Sequence, residues 1–354
     1  MEFVYDLTVD PDAENNTHAF ALEMIGHNKT VLEVGCATGY FTKVLAERGC
    51  KVVGMEIDPE AAKVAEGWAE RVVVGNVDDT EVWDRVDDET FDVVTFGDVL
   101  EHLRDPLAVL RVAVRKLKPF GCVVISLPNV AHGDVRLSLL HGDFRYQEIG
   151  LLDRTHIRFF TLQTARELLQ DAGLVAVDTR RVVIPLFDTE LGVSRDDFPE
   201  AVLDEVRADP EFETYQFVMK SVLDNGSQAV VDMAHRLDQV SDRAHELEVR
   251  NRILEEQVLH LADYAELREE HARVGEQLEA WIAHAGELTQ WMEQLRGERD
   301  AATARAVELA TATDALRADL EATQQQLEAI RSSRSYALMQ PVRRLRAILR
   351  GGQA

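Results

Sequence analysis

Apolar and polar positions change their period along the chain, and this change divides it into two regions. In the first region, short runs rich in β-branched residues alternate with segments whose apolar residues recur at helical spacing. The predicted strands are residues 30–34, 51–56, 71–74, 91–96, 122–127, 174–184 and 214–222. Because strands alternate with helices, we predict an α/β fold with a doubly wound, seven-stranded, mostly parallel sheet, whose seventh strand returns antiparallel.

The second region has the periodicity of a long helix. No proline lies between Pro210 and Pro341, and no phenylalanine follows Phe217. Apolar residues alternate spacings of four and three in two registers, and this predicts an α-helical coiled coil over residues 226–330. The first register is Val240, Ala244, Leu247, Asn251, Leu254, Val258, Leu261 and Ala265, and the second runs from Val274 to Ile330. A single solvated helix is the alternative. The first domain is therefore predicted to span residues 1–223.

Charge is distributed unevenly along the chain. Residues 1–225 carry 22 basic and 42 acidic side chains, 226–330 carry 10 and 22, and 331–354 carry six arginines and no acid. These segments sum to the net charge of −26 (−20, −12 and +6). An acidic body repels nucleic acid, so we expect no nucleic-acid partner. The tail, residues 331–354, is basic and amphipathic, which suits an anionic membrane surface or a disordered solubilising end equally well.

The cysteine spacing and the length of the apolar runs indicate the cellular compartment of the protein. Cys36, Cys50 and Cys122 show no paired spacing, so neither a disulfide framework nor a zinc site is predicted from them. The N-terminus has no charged-then-apolar leader, and no apolar run approaches membrane-spanning length. We therefore expect a cytoplasmic protein that has, at most, a peripheral contact with the inner face of the membrane.

The strongest chemical signal is a glycine turn after the first predicted strand. The strand ends in Glu33 and Gly35, and a tight turn through Gly39 opens the next helix. About twenty residues later the second strand ends in Glu56, at the distance where an acid binds ribose hydroxyls. A nicotinamide dinucleotide is the competing ligand, but its G-x-G-x-x-G spacing is absent. A nucleoside ligand that lacks phosphates therefore fits better.

These residues resemble the motifs of class I S-adenosylmethionine-dependent methyltransferases, particularly bacterial enzymes that O-methylate sugars of surface polysaccharides. The resemblance covers residues 1 to about 223 and implies a Rossmann-like fold with S-adenosylmethionine as cofactor. It implies that Glu33, Gly35 and Gly39 contact the methionine part, and that Glu56 binds the ribose. Asn76 replaces the family's aspartate, and its carbonyl oxygen can still accept a hydrogen bond from the adenine amino group. The other implied cofactor contacts are Cys36, Ile57, Val77 and Asp98.

Two later segments, residues 127–132 and 151–160, strengthen the resemblance to sugar methyltransferases. Methyl transfer to a hydroxyl requires removal of the hydroxyl proton, and histidine suits this task because its pKa lies near physiological pH. His156 and His132 are therefore the candidate bases, and Asp153 is positioned to orient the ring of His156. For both histidines a purely structural role stays open.

A metal site is a further alternative. Asp98, Glu101 and His102 are spaced by three and four residues, so a helix starting at Asp98 would place them on one face, where they could hold a divalent metal. We favour the interpretation in which Asp98 caps this helix and the other two pack or pair at its surface. No metal site is therefore predicted.

The sequence as a whole predicts a methyltransferase that O-methylates a sugar hydroxyl in cell-surface polysaccharide or glycan biosynthesis. The alternatives are O-methylation of a small natural product and a non-catalytic scaffold that works through its coiled coil. We expect a homodimer paired through the coil, with Asn251 favouring a parallel, in-register pair. The tail is expected to contact the membrane or a polysaccharide-assembly complex.

Overall fold

A computed structural model describes residues 9–86, 89–224, 228–260 and 265–332. The strands are β1 (Thr30–Val34), β2 (Lys51–Glu56), β3 (Arg71–Val74), β4 (Phe91–Gly97), β5 (Leu117–Pro128), β6 (Leu174–Val183) and β7 (Thr214–Leu223). The α-helices are α1 (Thr17–Ile25), α2 (Tyr40–Glu47), α3 (Pro59–Ala65), α4 (Thr80–Asp84), α5 (Pro106–Arg115), α6 (Gly133–Leu140), α7 (Leu162–Asp171), α8 (Glu200–Arg207), α9 (Gln228–His260) and α10 (Ala265–Ser332). Every predicted strand is present, and β5 begins earlier than the sequence indicated.

The seven strands form one sheet in the order β3-β2-β1-β4-β5-β7-β6. The pairs from β3 to β5 are parallel, whereas β7 is antiparallel to both β5 and β6. The predicted doubly wound, mostly parallel sheet with an antiparallel seventh strand is thus confirmed. Chain order reverses between β1 and β4, and open α/β sheets bind ligands at the carboxyl ends of the strands beside such a switch point.

Burial on both faces explains the unbroken β-branched runs. Successive side chains of a strand point to opposite faces. In β1, Val31 packs with Leu22 and Leu45 from α1 and α2, whereas Leu32 packs with Leu110 and Leu169 from α5 and α7. Helices therefore cover both faces, which is the arrangement that requires apolar residues at consecutive strand positions.

Helix α9 packs along β6, at the edge of the sheet. Arg166 of α7 forms ion pairs with Asp238 and Asp242 of α9, each with a nitrogen–oxygen distance of 2.8 Å. The Ser241 hydroxyl donates a hydrogen bond of 2.8 Å to the backbone carbonyl of Thr179 in the edge strand. These contacts attach α9 to the first domain, so the packed unit extends beyond the boundary predicted after residue 223.

The apolar heptad positions of α9 are buried within the same chain. Leu247 and Leu254 form a small core with Val274 of α10, and Leu278 and Trp281 pack against it. The sequence predicts these leucines at an interface between two chains. The structure differs because a pair of helices from one chain buries leucines at heptad spacing as well as a two-chain coil does.

Asn251, the residue predicted to favour a parallel pair, has a hydrogen-bond partner within its own helix. Its side-chain amide donates a hydrogen bond of 3.0 Å to the Glu255 carboxylate, next to it on α9. The neighbouring Leu247 and Leu254 already have apolar partners in α10. The Asn251 amide is therefore bonded within its own helix, and the parallel, in-register pair stays a prediction.

The chain divides into two compact units, Met1–Ala285 and Gly286–Ala354. In the second unit, five large apolar side chains at heptad spacing are exposed. They are Met292, Leu295, Leu309, Leu316 and Leu320. Within the described residues, no helix combines the length and the apolar character needed to cross a membrane. All but the first two residues of the predicted tail lie outside the described part of the chain.

Candidate active site

The turn between β1 and α2 has the backbone that its glycines predict. Gly35 and Gly39 have φ angles of 77° and 82°, which glycine adopts without steric cost. A Cβ atom on Gly39 would lie 2.8 Å from the Cα atom of Ala65, and one on Gly35 would lie 2.5 Å from a methyl carbon of Val99. The turn and the packing of the chain therefore both require glycine at these positions.

Cys36 fills the inside of the same turn. It is buried, and a Cβ atom on Gly54 of β2 would lie only 2.7 Å from its sulfur. Burial, followed by the charges of Glu33 and Glu56, raises the pKa of the Cys36 thiol. The thiol is therefore neutral at physiological pH, and within the turn it donates a weak hydrogen bond of 4.0 Å to the backbone carbonyl of Ala37.

Glu33 lines a cleft at the carboxyl ends of β1 and β4. It accepts a hydrogen bond of 2.6 Å from the hydroxyl of Thr42. Burial raises the pKa of Glu33 to about 8, so the carboxyl is mostly protonated at neutral pH. A cationic amine in the cleft would favour the ionised carboxylate, which is the charge match that the predicted methionine contact requires.

Glu56 holds the turn from the end of β2. Its carboxylate accepts hydrogen bonds from the backbone amides of Ala37 and Asp58, at 2.8 and 2.9 Å. Each carboxylate oxygen keeps a further lone pair, which a ribose hydroxyl can use. Ile57, the next residue, is 63% exposed and borders this position.

Asn76 and Val77 follow β3, whose end lies beside that of β2 because Glu56 pairs with Val74 in parallel register. The side-chain carbonyl of Asn76 accepts a hydrogen bond of 3.0 Å from the backbone amide of Asp78. The backbone carbonyl of Val77 accepts one from the Trp83 indole. The predicted cofactor residues thus lie at the carboxyl ends of neighbouring strands.

Asp98 follows β4 but does not begin an α-helix. Its φ angle is 53°, and only one 3₁₀ turn, Leu100–His102, comes after it. Its carboxylate accepts a hydrogen bond of 2.6 Å from the hydroxyl of Ser126 and another from the side-chain amide of Gln216. The helix that Asp98 was predicted to cap therefore does not form, and neither does the alternative face of three ligands, because the left-handed backbone at Asp98 turns its side chain toward β5 and β7.

Helix α1 supplies cleft residues that the sequence analysis missed. Thr17 and His18 line the cleft, and the Thr17 hydroxyl donates a hydrogen bond to Gln216. The ring of His18 lies edge-on to that of Tyr40, with 5.4 Å between centroids, and burial lowers the pKa of His18. The available signal was Asn16, whose side chain caps α1 by accepting a hydrogen bond from the His18 backbone amide.

A cluster of titratable side chains lies next to Asp98. Glu101, His102 and His156 can each place one ligand atom within 4.8 Å of the others. The backbone amides of Ile157 and Arg158 donate hydrogen bonds of 3.0 and 2.9 Å to the backbone carbonyl of Glu101, which joins the two segments. The Nε2 atom of His156 lies 4.0 Å from the Glu101 carboxylate. The predicted base is therefore next to a buried carboxyl group.

Asp153 does not orient the ring of His156. Its carboxylate accepts hydrogen bonds from the backbone amide and the hydroxyl of Thr155, at 2.7 and 2.6 Å, and so shapes the loop. The Nδ1 atom of His156 instead lies 3.3 Å from the backbone carbonyl oxygen of Leu151. A carbonyl can only accept, so it fixes the proton on Nδ1 and leaves a lone pair on Nε2.

His132 has a structural role, whereas the sequence predicted it as the second candidate for the catalytic base. Its Nδ1 atom accepts a hydrogen bond of 3.1 Å from the backbone amide of Asp134 and caps α6. Its Nε2 atom lies 2.9 Å from the backbone carbonyl oxygen of Ile184. Both ring nitrogens are bonded to the backbone and the residue is fully buried, so no nitrogen is left to accept a proton from a substrate.

Comparison with known proteins matches the first domain. Residues 8–179 match a family described as a methyltransferase domain. The ubiquinone biosynthesis O-methyltransferase of Psychrobacter arcticus is 31% identical over 172 residues, which cover 46% of this chain and 65% of that protein. Its counterpart in Psychrobacter cryohalolentis is 35% identical over 161 residues, covering 42% and 60%. The chain therefore spans less than two thirds of the length of these relatives.

Solved structures also resemble the chain. A SAM-dependent methyltransferase from Archaeoglobus fulgidus is similar with 21% sequence identity and a TM-score of 0.42. The similarity covers 56% of this chain and 88% of the archaeal one.

Proposed function

We propose that this chain transfers the methyl group of S-adenosylmethionine to a hydroxyl. The premise is that residues 8–179 form a class I S-adenosylmethionine-dependent methyltransferase domain. The arrangement of Glu33 in the cleft and Glu56 at the end of β2 carries the proposal. The Glu33 carboxyl lines the cleft where the cationic amine of S-adenosylmethionine would bind, and the Glu56 carboxylate has lone pairs for its two ribose hydroxyls. The cofactor supplies the reactive sulfonium, so the protein has to align the reactants and remove the hydroxyl proton.

Proton removal is assigned to the cluster of Glu101, His102 and His156. Burial, and then the neighbouring ring of His102, lowers the pKa of His156, so its ring is neutral at pH 7. A neutral ring with its proton fixed on Nδ1 presents a lone pair on Nε2, which is the form that hydroxyl activation needs. His156 is therefore the proposed catalytic residue.

A sugar hydroxyl is our first choice of acceptor, as the resemblance of residues 127–132 and 151–160 implies. A row of rings supports it. Phe159 lies 6.3 Å from the His156 ring, Phe144 lies 6.1 Å from Phe159, and Tyr146 lies 5.5 Å from Phe144. Phe144 and Tyr146 are exposed. Aromatic surfaces with a few polar groups suit binding of a ring-shaped ligand next to the cluster.

A phenolic hydroxyl is the second candidate, because the relatives described above are named for ubiquinone biosynthesis. The same row of rings can stack on an aromatic acceptor. Small natural products share this chemistry. A non-catalytic scaffold remains the alternative from another class, and it would have no use for the acids at the ends of β1 and β2.

Transfer of a labelled methyl group tests these acceptors. The full chain is incubated with S-adenosylmethionine labelled in the methyl group, together with a panel of glycans and a panel of catechols. We expect label in a glycan. Label in catechols alone would favour the phenolic candidate, and tight cofactor binding without transfer to any acceptor would favour the scaffold.

The ribose assignment predicts a loss of cofactor affinity in Glu56→Ala. Removal of charged hydrogen bonds should weaken S-adenosylmethionine binding by roughly 1–3 kcal/mol. Calorimetry measures the affinity, with Glu60→Ala as control, because Glu60 is an exposed residue of α3 that pairs with Lys63. Equal affinities of Glu56→Ala and the unaltered chain would remove Glu56 from the ribose site.

The second unit is proposed to form a homodimer through α10. Its exposed Leu309 and Leu316 are seven residues apart, and burial of such a stripe needs a partner helix. We expect light scattering to give a dimer for the full chain and a monomer for Leu309→Glu/Leu316→Glu. Thr311→Glu/Ala318→Glu places the same charges two residues away, off the stripe, and should stay dimeric. A monomeric unaltered chain would contradict the proposal.

Dimerisation would also bring two copies of the basic tail together. The tail, residues 331–354, carries six arginines and no acid. Two tails would offer an anionic membrane twice the charge of one, and a pair of weak anchors binds far better than one alone. We therefore propose a cytoplasmic enzyme that contacts the inner face of the membrane, or a polysaccharide-assembly complex, through paired tails.

A further inference from the structure

We infer that Glu101, His102 and His156 bind one divalent transition-metal ion of the zinc type, and that the acceptor hydroxyl joins it as a further ligand. The site itself rests on the geometry of these three side chains. Only the role assigned to the ion rests on the proposed function. The ligand set differs from the one that sequence spacing suggested, because Asp98 is bonded to Ser126 and Gln216, and His156 takes its place.

Both histidines are held in the tautomer that a metal ligand needs. The Nδ1 atom of His156 lies 3.3 Å from the carbonyl oxygen of Leu151, and the Nδ1 atom of His102 lies 3.2 Å from that of Thr155. A proton on each Nδ1 leaves the Nε2 lone pairs free. Metal-binding histidines are commonly oriented in this way, by donating their other nitrogen to a backbone carbonyl.

The buried carboxyl group of Glu101 provides independent evidence for a bound cation. It is 1% exposed, and among the described residues neither of its carboxylate oxygens has a hydrogen-bond partner. Leaving a polar group buried and unpaired is costly. A bound cation would supply the partner that both carboxylate oxygens lack.

The donor set indicates which ion fits. Two imidazole nitrogens with one carboxylate suit zinc or iron, whereas magnesium and calcium prefer oxygen ligands. Zinc–ligand bonds of about 2.0–2.2 Å place ligand atoms about 3.3 Å apart. The ligand atoms lie within 4.8 Å of one another, so closure requires small side-chain rotations, and the half-buried His102 can make them. Three protein ligands leave the open position that a substrate can occupy.

The ion would lower the pKa of the acceptor hydroxyl. The O–H bond breaks, the proton passes to water, and the oxygen keeps the electron pair. That oxygen then attacks the methyl carbon of S-adenosylmethionine, and the carbon–sulfur bond breaks to leave S-adenosylhomocysteine. In this arrangement His156 acts on the hydroxyl through the ion that it holds, rather than by taking the proton itself.

Metal binding is measured directly on the untagged full chain after dialysis against a chelator. We expect calorimetry with ZnCl₂ to give one ion per chain, and Co²⁺ to produce visible ligand-field absorption. Glu101→Gln and His102→Gln should each bind Zn²⁺ at least about tenfold more weakly. The control is His27→Gln, an exposed histidine on the surface, which should bind as the unaltered chain does.

Two results would overturn the site. One is a chain that binds no stoichiometric Zn²⁺. The other is Zn²⁺ binding that is unchanged in both Glu101→Gln and His102→Gln, with their folding checked by thermal unfolding. The proposed function can fail independently of the metal site. Zn²⁺ binding without methyl transfer to any acceptor would contradict the proposed function but not the metal site. Methyl transfer that survives chelation would support the function and contradict the role assigned to the metal.

Discussion

His156→Ala should bind S-adenosylmethionine with unchanged affinity and transfer its methyl group about 10²- to 10⁴-fold more slowly. Affinity should be preserved because the side-chain contacts of His156 are with Glu101, His102, Leu151 and Phe159, not with the turn after β1. The rate should fall because the hydroxyl then loses the group that activates it. This holds whether His156 takes the proton or holds an ion.

Single-turnover rates with labelled cofactor, beside calorimetry of cofactor binding, measure the two quantities independently. His27→Ala is the control, since His27 is exposed. Normal turnover in His156→Ala would remove the residue from catalysis. His132→Ala should instead lose stability, because it removes a helix cap and leaves the Asp134 backbone amide without its acceptor.

The pH dependence of the rate follows from the same residue. Burial, followed by the neighbouring His102, holds the pKa of His156 below its ordinary value of 6.5. The active form is the neutral ring, so we expect the rate to fall as the solution is acidified through that lowered pKa. Between pH 7 and 8 the titration of His156 should leave the rate unchanged.

Arg181→Met should lower the free energy of unfolding of the full chain by about 3–5 kcal/mol, as loss of one partner from a buried ion pair does. The Arg181 side chain is 4% exposed and pairs with Glu211 at 2.8 Å and with Asp242 of α9 at 2.6 Å. Methionine fills similar space but leaves two carboxylates without that cation. Since whole domains unfold with about 5–15 kcal/mol, the loss should be large.

Urea unfolding measures this loss, and the neighbouring residue is a matched control. Arg180 is 45% exposed and pairs with Asp178 at 3.1 Å, so Arg180→Met should cost less than about 1 kcal/mol. Equal effects of the two substitutions would mean that α9 does not bury Arg181 against the domain.

Acidification should weaken the same contact. Burial tends to raise the pKa of Asp242, but hydrogen bonds from Arg166 and Arg181 outweigh it and hold the pKa below its ordinary 3.8. Stability from this group is therefore fully present above the unfolded pKa and is lost as the pH falls through the lower folded pKa. Arg181→Met should show a smaller acid-induced loss than the unaltered chain.

Local pattern was sufficient for the sheet and for the turn that follows its first strand. Continuous β-branched runs mark strands that are buried on both faces, and Gly35 and Gly39 mark a turn with positive φ angles. Glu33 and Glu56 end parallel strands, so their approach follows from the topology alone. Such features depend on residues close together in the chain or on the alignment of neighbouring strands, and sequence spacing reports both.

The cluster of Glu101, His102 and His156 depends on contacts that sequence spacing cannot show. His156 meets Glu101 across 55 residues because backbone hydrogen bonds join their two segments. Asp98 lies outside this cluster, and does not cap the helix that the sequence predicted, because a single positive φ angle turns it toward Ser126. His132 loses its predicted role because the backbone at Ile184 occupies its second nitrogen.

The heptad pattern shows the same division between sequence and structure. The sequence alone established that α9 and α10 are helices with an apolar stripe, because spacing of three and four residues places side chains on one face. It did not determine what covers the stripe, since burial of leucine is favourable against any apolar surface and carries no information about which chain provides it. The tertiary structure decided this for α9, by pairing Leu247 and Leu254 with Val274 of the same chain.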